Sequence, residues 1–200
     1  VTGDWFVVLT NSKPLIFTGS SFDALQVNEL HGGDSCVGAR GITQSDIGLL
    51  FCGSNGIGLI SSSGYSNITA PFYDDEQLRA ASTDQTMVMS DGNRVIFGQY
   101  DATTLKMLDK QVGLVSLEVP YPVEAMSYYA PRGNYWIAYL TANALKIGKL
   151  FGDASQKYKF TWKSKLFKTP APVSMAVAKI DSSEWATLTN SMKYRDGFYG

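Results

Sequence analysis

The sequence predicts an all-β fold, antiparallel and propeller-like with irregular blades; a large β-sandwich is the alternative. Three observations lead there. First, an apolar strand, a tight turn and a second strand recur along the chain, with turn centres at Asn11, Asn55, Gly92 and Asn143. The intervals of 44, 37 and 51 residues bracket the spacing of four-stranded blades, roughly 40 to 50 residues. Second, aromatics make up 12% of the chain, Gly occurs 19 times and Pro is spread throughout, the mixture of many short strands joined by turns. Third, each hairpin is followed by less apolar strands, as the inner and outer strands of a blade differ.

The 200 residues, 44% of them hydrophobic, suffice for one sizeable core. Residues 1–200 are read as a single β-rich domain, a portion of a longer propeller-bearing chain; the N-terminus shows no secretion signal, and its lack of an initiator Met suggests a processed chain or a fragment of something longer. No apolar run approaches the ~20 residues that span a bilayer. The net charge of -1 hides an asymmetry. Up to Leu78 there are two basic and eight acidic residues, a net of -6; from Arg79 onward there are 15 basic and 10 acidic, a net of +5. Acidic and basic regions on one chain suit head-to-tail contact between copies.

In chain order, Trp5 to Thr10 and Leu15 to Thr18 form the first hairpin, and Ala24 to Leu30 a further strand closed by a turn at His31 to Asp34. Ser35 to Ile42 is expected to be the strand that leads into the most regular hairpin, IGLLFCGSNGIGLIS (Ile47 to Ser61). There Asn55 and Gly56 are assigned the reversal, since both tolerate positive φ. Gly64 to Thr69 is a short strand. Asp74 to Ala81 (DDEQLRAA) is the one helical candidate, with acids in its first turn. Gln85 to Ser90 and Arg94 to Tyr100 flank an Asp-Gly turn, and Thr103 to Asp109 and Leu114 to Val119 follow as outer strands. Pro120-Tyr121-Pro122 makes an extended crossing to Val123 to Tyr129. Tyr135 to Thr141 and Leu145 to Phe151 make the last hairpin.

Lys157 to Lys168 (KYKFTWKSKLFK) alternates most clearly. Tyr158, Phe160, Trp162 and Leu166 share one parity, and Lys157, Lys159, Lys163 and Lys165 the other, so a strand here has an aromatic face inward and a lysine face outward. Burying three aromatics and a Leu contributes on the order of 6 to 10 kcal/mol before entropy is charged against it. Trp162 is thus a core residue, and the four lysines form either a solvated face that protects an edge or a surface facing phosphate or an acidic neighbour.

The residue sets that carry chemistry are not assembled in the sequence. His31 is the only His, and no Gly-x-Ser-x-Gly elbow precedes a helix. Gly53 to Gly58 resembles a phosphate loop only superficially, because a strand follows where a helix should start. Cys36 and Cys52 sit in apolar, strand-like surroundings and read as buried free thiols; with one His they fall short of an ordinary zinc site. The adjacent acids Asp74, Asp75 and Glu76 point in different directions on a helix, and Asn67-Ile68-Thr69 matches a glycosylation acceptor by sequence alone. The expectation is therefore no catalytic residue, no metal and no cofactor.

Three stretches resemble a virion protein of short-tailed bacteriophages, the propeller-bearing tail nozzle or packaged-DNA stabilisation group: LIFTGSSFDALQVNEL with SCVGARG (Leu15 to Leu30, Ser35 to Gly41), GLLFCGSNGIGLIS, and FTWKSKLFKTPAPVSMAVAKI (Phe160 to Ile180). Where that family often has Arg, this chain has Lys163, which keeps the charge but loses bidentate contact. The resemblance implies a non-enzymatic structural component of a phage tail, located in the virion, that forms a conduit which retains and delivers DNA. It implies other tail or connector proteins as partners, a homo-oligomer, transient non-specific contact with DNA and no membrane span. Lys157, Lys159, Lys163 and Lys165 would then be interface or DNA-facing residues. The alternative is a propeller module that recognises a cell-surface glycan through exposed Trp or Tyr residues.

Overall fold

The computed structural model describes residues 5–151 and 160–163, all within one compact unit that runs Val1–Leu166. These residues are all-β and antiparallel, with one short helix, and form consecutive meanders. The first sheet is β1 (Trp5–Val8), β2 (Leu15–Thr18) and β3 (Gln26–Glu29). The second has four strands: β4 (Ile42–Ser45), β5 (Gly48–Gly53), β6 (Gly56–Ser61) and β7 (Gly64–Asn67). Helix α1 (Asp75–Ala81) follows. Then come β8 (Thr86–Ser90), β9 (Arg94–Gln99), β10 (Ala102–Asp109) and the 17-residue β11 (Gly113–Tyr129). The second half of β11 continues into β12 (Asn134–Thr141) and β13 (Ala144–Leu150). A final strand, β14 (Phe160–Lys163), pairs with β11 from Leu114 to Leu117.

Strand parity explains how these sheets stack. Side chains alternate across a strand, so a strand covered on both faces is apolar on both parities. In β5, Phe51 enters a core shared with Val7, Leu9 and Leu30 beside the first sheet, while Leu50 and Cys52 enter a second core with Val88, Val95 and Phe97. In β8 and β9 the opposite parity, Met87, Met89 and Ile96, enters a third core with Val123, Tyr135 and Ile137. The described strands therefore form three sheets of three, four and seven strands stacked in chain order, and the seven-stranded sheet curls around the third core so that its two halves act as a third and a fourth layer. A two-sheet sandwich has only one such core, which settles the alternative in favour of the propeller-like arrangement.

The third and fourth layers share β11. Its first half pairs with β10, its second half with β12, and Val123 is paired with Ala102 on one side and Tyr139 on the other. Between them Pro120 and Pro122 carry no N–H, and pairing to β10 lapses after Glu118 and resumes only at Val123. The crossing expected at Pro120-Tyr121-Pro122 is thus a bend inside one continuous strand.

Two local expectations need correction. Ser35 to Ile42 is not a strand: it makes a single bridge at Cys36, a 3-10 turn at Ala39–Gly41, and becomes a strand only at Ile42. Its glycines carry it past its neighbours, for a Cβ on Gly38 would lie 2.7 Å from Asp84 backbone and one on Gly41 2.5 Å from the Cys52 Cβ. In the main hairpin the loop is Ser54-Asn55, closed by the Gly53–Gly56 pair, and Asn55 does not have a positive φ. Gly56 does, at 123°, and a Cβ there would collide with Thr69 Oγ1. The helix matches expectation and starts one residue later: Asp74 accepts a hydrogen bond from the Gln77 N–H at 2.8 Å and the Gln77 side chain completes a capping box.

Candidate functional site

Where β11 bends, a cleft of about 350 Å³ lies against β11, β12 and β13. Val119, Pro120 and Tyr121 line it from β11, Ile137, Tyr139 and Thr141 from β12, and Lys146, Gly148 and Lys149 from β13. The Tyr121 and Tyr139 rings stack at 5.3 Å and 10°. Gly148 lets Tyr139 lie flat over the strand, since a Cβ there would be 3.0 Å from the ring. Lys146 is the register partner of Tyr139, and the Lys149 ammonium stands 5.6 Å from the Trp136 ring. The stacked Tyr121 and Tyr139 rings, with Lys146 on the same face of the strands, are suited to the flat apolar face of a sugar, or to a ligand carrying both a ring and an anion. Tyr121, Tyr139 and Lys146 were not singled out by the sequence reading. The signal was present in a Tyr held between two prolines and in the period-two order of YWIAYLT, but pairing across 18 positions decides that the rings meet.

Asn55 and Gly56, predicted as turn residues, belong to a polar knot that ties the second sheet to the chain before it. Ser54 Oγ donates to Asp34 Oδ1 at 2.6 Å, the Asn55 N–H to Asp34 Oδ2 at 2.8 Å, and Asn55 Nδ2 to Asp34 Oδ1 at 3.0 Å. Asn67 Nδ2 donates to the Asn55 carbonyl at 2.6 Å, and its Oδ1 accepts from the Thr69 and Ala70 N–H groups and the Thr69 hydroxyl. The glycosylation-like Asn67 is thus consumed by structure.

No protein-family model and no curated protein matches the sequence. Among solved structures, the chain is similar to a catalytically inactive virginiamycin B lyase from Staphylococcus aureus with quinupristin, at 16% identity and a TM-score of 0.46, over 85% of this chain and 54% of that one. It is also similar to the selenomethionine-substituted enzyme from the same organism, at 14% identity and a TM-score of 0.43, over 83% and 55%. The chain spans about half the length of these enzymes.

Trp162 and Lys163 lie in β14, opposite Val115 and Leu114 by backbone register. Lys157, Lys159 and Lys165 lie outside the described residues. Cys36 and Cys52 are buried free thiols, as expected; burial raises both, and Cys52 is pushed up to about 11. Tyr65 is likewise pushed up to about 12, by burial and then by the charge of Asp34. Arg94 and Asp109 pair at 3.1 Å across β9 and β10. The buried Tyr135 hydroxyl has no partner in hydrogen-bonding geometry, yet it lies near enough to Asp91 and Arg94 that burial, and then Asp91, raise its pKa. Among the described residues no three His, Cys, Asp or Glu side chains gather to hold a metal ion, and no helix is long and apolar enough to cross a membrane.

Proposed function

We propose that this chain is a structural component of a short-tailed phage tail, a nozzle or head-tail completion protein whose stacked sheets wall a conduit for DNA. Four layers tied by buried cores, with one strand shared by the last two, are the observation that carries this reading. A wall of that kind resists deformation because each layer is packed to the density of a protein interior. The sequence stretches that resemble the nozzle group add the biological setting, with other tail or connector proteins as neighbours and DNA touched only transiently through lysines. The test is to label intact and DNA-emptied virions with an antibody to this chain and to image them by electron microscopy. Label at the distal tail is expected; label on no part of the virion overturns the reading.

A second reading, recognition of a cell-surface glycan, is favoured by one feature, the Tyr121–Tyr139 stack bordered by Lys146. Saturable binding to a defined glycan that is lost in Tyr121→Ala would establish it, and a glycan array without saturable binding would remove it.

A further inference from the structure

The cleft at the bend of β11 is an aromatic platform with a cation at its edge. Its floor is the end of the third core, where Val119 and Ile137 are buried. Tyr139 lies over Gly148, and Tyr121 stacks on Tyr139 with ring centroids 5.3 Å apart and planes inclined by 10°. Tyr121 is 44% exposed and Tyr139 half-buried, so the stack is seated on β13 and presents the Tyr121 ring. Pro120 and Pro122 restrict the backbone on either side of Tyr121. Little conformational freedom is then left to lose when a flat ligand settles on that ring.

The polar side chains of the cleft are rich in donors and poor in acceptors. Thr141 is already engaged, because its hydroxyl donates to the Ala144 carbonyl at 2.8 Å and accepts the Ala144 N–H at 3.2 Å. Lys149 has the opposite strand parity from Lys146, and its ammonium stands 5.6 Å from the Trp136 ring. What remains is the two phenols and Lys146, the register partner of Tyr139, whose ammonium offers three donors and no acceptor. Among the described residues no carboxylate lines the cleft. A neutral sugar brings hydroxyl protons that need acceptors, and leaving them unmet costs binding. A carboxylate brings acceptors only, and its bonds to an ammonium are stronger than neutral ones. We infer that the cleft binds a sugar acid, a pyranose whose apolar face lies on Tyr121 and whose carboxylate is held by Lys146. The inference deepens the glycan-recognition reading and rests on it.

The experiment titrates the full, isotope-labelled chain by NMR with methyl glucuronide and methyl glucoside, which share a ring and differ in a carboxylate against a hydroxymethyl group. The glucuronide is expected to bind about fivefold more tightly, a preference that fades as salt is raised. Lys146→Met keeps the length of the stem and should lower glucuronide affinity about fivefold while leaving glucoside affinity unchanged. Tyr121→Ala should abolish binding of both, and Tyr121→Phe, which keeps the ring, should retain the preference for the acid. Lys146 and Tyr121 are exposed, so amide signals remote from the cleft are expected to stay in place and report that each variant is folded. On a glycan array, saturable binding should be confined to glycans that contain acidic sugars. Equal affinity for the two methyl sugars, an unchanged preference in Lys146→Met, or neutral glycans that bind the array as well as acidic ones overturns the inference and leaves glycan recognition standing. An array without saturable binding removes both.

Discussion

The second sheet and the fourth layer are built from the same hairpin plan but end in opposite surroundings. In β5 and β6 both parities are apolar and both are covered: Leu50, Phe51, Cys52, Ile57 and Ile60 are buried. In β12 and β13 both parities are again largely apolar, yet only Tyr135, Ile137 and Leu150 are buried, while Leu140, Leu145 and Ile147 are exposed. Two-sided apolarity therefore marks a strand suited to packing on both faces, whether or not this chain supplies the second cover. Side-chain chemistry alone does not distinguish an inner layer from the end of a stack.

Substitutions can break this contrast, and the largest effect is expected in the second sheet. Phe51→Ala should lower stability by about 3 to 5 kcal/mol in chemical denaturation, because the ring is fully buried in a closed core. A loss of about 0.5 kcal/mol or less would mean that the first two layers are not packed together. Overpacking the same sheet comes next. Gly58→Ala places a Cβ 2.7 Å from the Tyr65 ring and 2.8 Å from that of Phe51, and a cost of about 1 to 3 kcal/mol is expected. An unchanged thermal midpoint would show that the rings move aside freely.

The polar knot gives a further comparison, since the last hairpin, closed by a Thr141 hydroxyl bond to the Ala144 carbonyl, has no counterpart of Asp34 among the described residues. Asp34→Ala should cost about 1 to 3 kcal/mol by leaving the Ser54 and Asn55 donors without their acceptor. Urea unfolding that matches the wild type would show that water replaces the carboxylate without loss.

Alkaline pH supplies a gentler probe of the same sheet. The Cys52 thiol ionises at about 11 in the fold, against an ordinary 9.0, chiefly through burial. The unfolded chain therefore loses that proton first, and stability is expected to be full below pH 9 and to fall as pH rises towards 11. Tyr65 adds to the fall between its ordinary 10.0 and about 12. Denaturation midpoints that stay constant from pH 8 to 11 would contradict the burial of the thiol. The smallest change is expected in the fourth layer, where Ile147→Ser should alter the stability of the monomer by about 0.5 kcal/mol or less. A larger loss, measured at a concentration where the protein is monomeric, would mean that the outer face is covered from within the chain.

Much of this fold could be read from local signals, because meander topology keeps pairing partners close in sequence. Asn11, Asn55, Gly92 and Asn143 each fall between the strands of an observed hairpin, and Asp74 caps the one helix. What escaped depends on contacts that periodicity does not encode. Ser35 to Gly41 has strand-like composition, but Gly38 and Gly41 are there for close approach to Asp84, Cys52 and Thr86. Asn55 reads as a positive-φ residue, yet its side chain answers to Asp34, 21 positions earlier. The cleft was still less legible, because its two rings are brought together by a bend that sequence marks only as Pro-Tyr-Pro.

That bend has a mechanical consequence. Because β11 belongs to two layers at once, tension entering through β10 and leaving through β12 must pass along its backbone, with ladder hydrogen bonds on both edges resisting sliding together. A pair of layers joined by a loose loop would instead yield one rung at a time. The shared strand converts neighbouring layers into a splint, stiff along its length and pliant only at Pro120 and Pro122, where the ladder has no rungs to lose.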